Sequence, residues 1–430
     1  MDFLLATLVL PEAEPSRLIM LPFAVLLLCI AIAPLILKHH WERHYHKISV
    51  GLAAITAAYY VFVLHESDHM LRVGFEYFSF MAAVGSLFVV TGGIHIVVKG
   101  EAKPWINTLF LGIGGLLANF IGTTGASMLL IRPWIRMNRY RFTGLHIAFF
   151  IFLVSNVGGA LLPTGPPLFL GYLRGVPFYW GVQTCWQPWL LTFVLLLAIF
   201  YLVDRKNYRR APQEIRRELT TAEEWRFDGL RNIWLMLIIL FALVEVPAGW
   251  RDLVMIAAAV VAYFWTPGPI YRGNDFTFAP IKELGWLFLG IFGTMVPVLD
   301  FMERHAHDLG LHTDMQFFWF TGILSGVLDN APTYLTFLAG ALGLEKLSIV
   351  QHAEVAQFAR LHGHYLVAIS LGATFFGALT YIGNGPNLMV KAIADHAKLN
   401  TPSFFGYVFK FSLPVLLPIL ILISWIFFRR

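Results

Sequence analysis

The chain has 430 residues, 58% of them hydrophobic and only 13% charged, with a mean hydropathy of +0.68. That is about half the charge of an ordinary soluble domain, which excludes a soluble globular protein and leaves an integral membrane protein. The net charge of +5 does not point to nucleic acid, because the basic residues sit in short loops between apolar segments and not on one polar face.

Apolar windows suited to helices in about 30 Å of hydrocarbon run at 18–37, 48–64, 75–98, 143–162, 186–203, 232–247, 252–266, 284–299, 365–382 and 404–428. The first is too long and too poorly flanked for a cleaved signal peptide. The two cysteines, Cys29 and Cys185, lie in or beside apolar segments and indicate neither a disulfide framework nor a thiolate metal site. The loops at 38–47, 99–104, 132–141, 204–231, 267–283 and 391–400 hold 21 of the 31 Lys and Arg residues. The positive-inside tendency therefore assigns these loops to the cytoplasm.

The alternation closes only if residues 105–131 enter and leave from the cytoplasmic side as a re-entrant hairpin, and residues 314–344 do so from outside. The predicted fold is all-α: a polytopic membrane protein with two inverted-topology repeats, each holding a re-entrant hairpin and a broken helix. Residues 1–47 form an N-terminal segment with the first transmembrane helix, and residues 48–203 the first repeat. Residues 204–251 form a cytoplasmic linker and a connecting transmembrane helix, and residues 252–430 the inverted second repeat. Within the linker, Thr221 and Glu224 resemble a capping box.

In chain order, the first chemistry-bearing element is Thr123, Thr124, Gly125, Ala126 and Ser127, with Asn119 one helical turn upstream. Hydroxyls in apolar helices often bond only to a carbonyl four residues earlier. The functional alternative is that Thr123, Thr124 and Ser127 bind an ion or substrate. Next, Asn156, Gly158 and Gly159 precede Gly165, Pro166 and Pro167, reading as a helix that unwinds and restarts. Proline is tolerated in a first turn, and the restarted half-helix directs free amides and its positive dipole end into the gap. A proline kink that merely bends a helix is the plainer account.

The same pattern returns about two hundred residues later. Gly159, Ala160, Leu161 and then Gly165, Pro166, Pro167, Leu168 are matched by Gly377, Ala378, Leu379 and then Gly385, Pro386, Asn387, Leu388. The first hairpin is matched by Asp329, Asn330, Ala331, Pro332 and Thr333. Helix-breaking backbone inside apolar segments is tolerated only where it lines a cavity or is buried in protein. Interrupted segments in two corresponding halves point to the binding site of a secondary transporter.

Asp329 needs a partner or a task, because a charge at membrane depth costs roughly 2.5 to 3.5 kcal/mol. It reads either as a helix cap or, with Asn330 and Thr333, as an oxygen-donor Na+ site at which protons compete. Around the second break, Thr380, Asn384 and Asn387 add side-chain oxygens, with Thr374 nearby. Glu245 and Asp300 lie near span ends, where they are expected to reach the interface. His95 and His146 read as structural. His65 and His69 have a metal-like i,i+4 spacing, set against a solvated loop. His305, His307, His312, His352, His362 and His364 fall in predicted outer loops, where pH sensing is the functional alternative.

On these residues the chain resembles the ion transporter superfamily of D-type Na+/H+ antiporters, citrate carriers and Na+/dicarboxylate symporters, over residues of about 48 to 428. The Asp329, Asn330, small residue, Pro332 tip and the run from Asn156 to Ala160 look like the antiporter branch. That branch carries an Asp after the glycine matching Gly165, where this chain has proline. The resemblance implies a homodimer with one moving part and one scaffold part in each protomer.

The expected function is a sodium:proton antiporter working by alternating access in a bacterial inner membrane, with Asp329 and Asn330 as the coupling pair. The alternative is a citrate-like carboxylate symporter driven by Na+ or H+, with the amides near Gly165 and Gly385 receiving carboxylates and Lys391 as a candidate anion partner. The expected partners are the lipid bilayer, Na+, H+ and, in the alternative, a carboxylate. Na+ is expected as a transported or coupling ion, with no cofactor. An enzyme is not expected: His65, Glu66 and His69 do spell the HExxH pattern, but they read as a solvated loop between spans, and no serine nucleophile elbow occurs.

Overall fold

The computed structural model describes residues 14–97, 103–210 and 226–429; the Thr221 and Glu224 pair lies outside them. Apart from a small two-stranded clasp, the regular structure of these residues is helical. Six helices are long and apolar enough to cross a membrane, and shorter apolar helices accompany them. The framework elements are α1 (Leu21–Ile36), α2 (Lys38–Phe62) and α3 (Ser67–Gly92). Next come α4 (Pro104–Asn138), α5 (Gly144–Leu153), α6 (Pro166–Arg174) and α7 (Trp186–Arg210). The remainder are α8 (Asn232–Glu245), α9 (Trp250–Trp265), α10 (Ala279–Arg304), α11 (Asp314–Val327), α12 (Asn330–Leu344), α13 (Gly363–Phe376), α14 (Gly385–His396) and α15 (Leu417–Phe427).

Helix α2 begins at Lys38, so the charged stretch 38–47 is helical where the sequence reading expects a loop. Its polar turns continue the same helix into the apolar run, and α2 packs along α10. That packing also changes the account of Asp300. Only 1% exposed, it accepts a hydrogen bond from the Tyr60 hydroxyl at 2.8 Å, so it is buried between helices and does not reach the interface. Glu245 is exposed at the end of α8. His65 sits in a turn before α3 with φ 57°, while His69 is buried with its ring against Tyr60. Among the described residues no group of three or more His, Cys, Asp or Glu could hold a metal ion.

Residues 104–138 fold back on themselves. A straight helix would hold Asn107 and Asn138 about 46 Å apart, yet Asn107 Nδ2 donates to Asn138 Oδ1 at 2.7 Å. The reversal is at Gly122, whose φ of 72° and ψ of 156° belong to a region essentially restricted to glycine. A Cβ there would also stand 2.7 Å from the Thr164 carbonyl oxygen. At its base this hairpin is tied to α5 and α7. Asn107 donates to Asp204 at 3.1 Å, Arg141 grips both oxygens of Asp204, and His146 Nε2 lies 3.2 Å from the same carboxylate.

The second hairpin is α11 and α12, which pack together and are parted by extended backbone at Leu328 and Asp329. A capping box at Thr313 and Gln316 starts α11. Both long broken helices are present as two pieces joined by a stretch that leaves the α-helix, with one 3-10 turn and extended backbone: α5 and α6 around residues 154–165, and α13 and α14 around residues 377–384.

The clasp pairs β1 (His95–Val97) with β2 (Arg226–Asp228), placing His95 opposite Asp228. Burial and then the Arg136 charge push the His95 imidazole below its usual value of 6.5. The unfolded chain therefore takes up this proton first, so His95 contributes stability that is complete above pH 6.5 and declines as the pH falls through it. The thermal midpoint of the purified protein is expected to drop below that pH, and His95→Gln to lessen the drop. Gly122→Ala is expected to lower the same midpoint at every pH, since forcing a side chain into this backbone region costs about 1 to 3 kcal/mol; an unchanged midpoint would contradict the assigned reversal.

Candidate functional site at the helix breaks

Each hairpin tip is sewn to the unwound stretch of its own half. In the first, Asn119 donates from Nδ2 to the Gly158 carbonyl at 2.6 Å and accepts the Leu161 amide on Oδ1 at 2.9 Å. The Thr164 hydroxyl returns a hydrogen bond to the Asn119 carbonyl at 2.7 Å. In the second, the Thr380 hydroxyl donates to the Gly326 carbonyl at 2.7 Å while accepting the amides of Ile382 and Gly383. Ser325 donates to the Ala373 carbonyl at 2.6 Å. Backbone groups freed by unwinding are thus met by side chains, as a water-poor environment demands.

The two halves meet in a cluster of carboxamides. Asn156 Nδ2 donates to Asn387 Oδ1 at 2.8 Å and to the Ile151 carbonyl at 2.9 Å. Asn384 Nδ2 donates to Asn156 Oδ1 at 3.1 Å and to the Ser155 carbonyl at 2.8 Å. Asn387 Nδ2 spans its own break, donating to the carbonyls of Gly377 and Thr380 at 2.8 and 2.9 Å. All three asparagines are buried. Ser127 joins from the first hairpin, its hydroxyl 2.8 Å from that of Ser155. Packing is reciprocal as well: α6 rests on α12, and α14 rests on α4.

The remaining sequence-predicted residues fall around this cluster. Asn330 is buried, and a Cβ on Gly377 would stand 3.5 Å from its Nδ2 and 2.9 Å from Asn156 Oδ1. The Asn330 Oδ1 atom is buried without a hydrogen-bond donor, and so is the Thr124 hydroxyl without a partner. Asp329 caps α12 by accepting the Ala331 amide at 3.0 Å. It makes no ion pair with a described residue that lies within 4.0 Å in the structure. Thr333 donates back to the Asp329 carbonyl at 2.9 Å. Thr123 lies beside Gly165, the residue before α6. Lys391 is not part of the cluster; its ammonium is held by Asp395 and Thr401, each at 2.6 Å.

Asn119, Ser155, Thr164 and Ser325 belong to this network but were not among the candidates. Asn119 and Ser325 precede a hairpin tip by a few residues, and Ser155 and Thr164 lie within the first unwound stretch, which is the trace they leave in the sequence. Four helices begin within the network: the second arm of α4 after Gly122, α6, α12 and α14. Their first turns carry positive dipole ends and amides that the helix itself does not satisfy, one of which, at Ala331, is met by Asp329.

The family profile CitMHS_2, described as "Putative citrate transport", matches residues 12–428. No curated protein matches the chain. Because Asn156 serves Asn384 and Asn387 together, Asn156→Ala is expected to leave the Asn387 Oδ1 atom without its donor and one Asn384 amide hydrogen without its acceptor, at a cost of about 1 to 3 kcal/mol for each unsatisfied group. A thermal midpoint in detergent equal to that of the wild type would refute this central role.

Proposed function

We propose, for a chain that belongs to the CitMHS_2 family and is a citrate transporter-like secondary transporter, that it exchanges Na+ for H+ through the second hairpin tip. One observation carries this reading: Asp329 offers a part-buried carboxylate with no described cationic partner, directly before a buried Asn330 oxygen that lacks a donor. Carboxylate, amide and hydroxyl oxygens are the donors that a hard cation takes. A carboxylate that holds either a proton or Na+, and not both, makes the two ions alternate at one position. Alternating access would then release one ion on each side of a membrane.

The residues have separate tasks in this mechanism. Asp329 binds the exchanging ion and Asn330 supplies the neutral oxygen beside it. Thr333, bonded to the Asp329 carbonyl, fixes the start of α12. Asn156, Asn384 and Asn387 hold the two unwound stretches in register, so the tip faces a rigid wall. The chemistry asks for no cofactor, and no catalytic step is assigned.

A second reading, carboxylate symport driven by Na+, draws on the family description and on a narrow void at the first tip walled by Thr123, Thr124, Thr164 and Pro166. That void is uncharged and adjoins two helix starts, an environment suited to an anion. In it, Na+ on Asp329 would offset the charge of the substrate.

Proton flux in everted membrane vesicles tests both. Added NaCl is expected to dissipate a preformed pH gradient with the wild type, and Asp329→Asn to abolish this response while the protein stays inserted. Glu245→Gln, at an exposed helix end, is expected to behave as wild type. Uptake of citrate with no response to Na+ alone would replace exchange by symport, and an active Asp329→Asn variant would remove Asp329 from the mechanism.

A further inference from the structure

Two narrow voids lie along one side of α3. The inner one is bounded by Gly122, Thr123 and Thr124 at the first hairpin tip and by Leu87 and Phe88 of α3. The outer one is bounded by Thr91 and Gly92, by Met128 and Arg132 on the second arm of α4, and by residues 274–277 ahead of α10. Phe88 lines both voids. Its ring lies against Phe276 of the outer lining, with centroids 5.3 Å apart, so the residue shared by the two spaces is held by an aromatic contact on the outer side.

The outer void ends at an ion pair. Arg132 Nε lies 3.3 Å from Asp275 Oδ2, with the arginine side chain 19% exposed and the aspartate 79% exposed. The loop carrying Asp275 is pinned, because Asn274 Nδ2 donates to the carbonyls of Gly92 and Ile94 at 2.8 and 2.7 Å. Asp275 itself has φ 44°, left-handed backbone that a non-glycine residue adopts only where its surroundings enforce it. A pinned loop with a strained residue, reaching over a mostly buried guanidinium, differs from two long side chains meeting by chance on a surface.

We propose that the two voids form the access route from the cytoplasmic side to the first hairpin tip, with Phe88 and Phe276 as its constriction and the Arg132–Asp275 pair as the latch that holds it shut. The sidedness follows from the basic segments at 132–141, the end of α4 and the turn after it, and at 267–283, which border the outer void. The route goes beyond the ion-exchange reading and serves whichever cargo reaches the tip. Movement of the 274–277 loop would part Asp275 from Arg132 and draw Phe276 off Phe88 in one displacement. The hydroxyls of Thr123 and Thr124 would then meet water through the space beside Thr91.

Thiol accessibility tests this. In a chain with Cys29→Ser and Cys185→Ala, single cysteines are placed at Met128, Thr124 and, as an exposed control on the same face, Arg272. A membrane-impermeant methanethiosulfonate is then added to everted or right-side-out vesicles. Arg272→Cys and Met128→Cys are expected to react in everted vesicles only, and Thr124→Cys to react there slowly. Adding Asp275→Asn, or separately Arg132→Gln, is expected to speed modification of Thr124→Cys about fivefold, which corresponds to about 1 kcal/mol for the latch.

A silent Thr124→Cys beside a reactive Arg272→Cys would overturn the route, because the control shows the protein inserted and its loop reachable. Reaction of Thr124→Cys from the right-side-out face would overturn the sidedness. Equal rates with and without both latch variants would overturn the latch. The expected pattern in a protein that moves neither Na+ nor citrate would keep the route and reject the exchange reading, so the two fail separately.

Discussion

The constraint on which the rest of this structure depends is the need to satisfy backbone groups where helices stop inside an apolar protein. A helix interrupted in such surroundings exposes amides and carbonyls that no water is at hand to meet, at several kcal/mol each in hydrocarbon. Here the answer is carboxamides. Asn119, Asn156 and Asn387 each present donors and an acceptor from one short side chain and each bridges a break, with the hydroxyls of Thr164 and Thr380 tying the tips beside them. Proline follows at the restarts of α6 and α14, where a missing N–H is no loss.

The same logic separates two kinds of buried polar group. At the base of the first hairpin the buried charge is fully paired: Asp204 receives Arg141 and Asn107 and lies against His146. Removing one partner of such a set leaves an uncompensated buried charge, which is why it acts as a fixed anchor. At the tips, by contrast, the Asn330 oxygen and the Thr124 hydroxyl are left without partners. Other buried atoms without a partner, such as the Ser49, Thr321 and Ser412 hydroxyls, lie away from the tips, so it is the pairing of these two with the helix breaks that sets them apart. The position of these vacancies at both tips matches the internal repetition of the sequence.

The breaks were legible because their residue types have few other uses in an apolar segment. Pro166 and Pro386 mark helix starts, whereas Gly122, where the first hairpin turns, lies one residue before the stretch the sequence singles out. The Asn, Gly and Pro clusters recur because the same problem is solved twice. Partner choice was not legible. Nothing in the sequence pairs Asn156 with Asn384 and Asn387, some 230 residues away, since hydrogen-bond pairing depends on packing that no local pattern encodes. Asp300 was misjudged for a related reason: its nearness to a span end hides the fact that α2 covers it and supplies Tyr60. Likewise the stretch from Lys38 reads as a polar loop by composition, though its turns continue a helix held against α10.

The carboxamide cluster has a mechanical consequence. Asn156 is gripped by two residues of the opposite half, and α6 and α14 each rest on the hairpin of the other half. The two halves are therefore interlocked like clasped hands, and pulling them apart at the middle would break several buried hydrogen bonds at once. A translocating unit built this way travels as one piece. Any relative sliding would then fall at its outer perimeter, where a few separate contacts such as Arg132 with Asp275, Arg174 with Glu76 and the Tyr172 hydroxyl with the Leu243 carbonyl are exchanged while the central cluster stays whole.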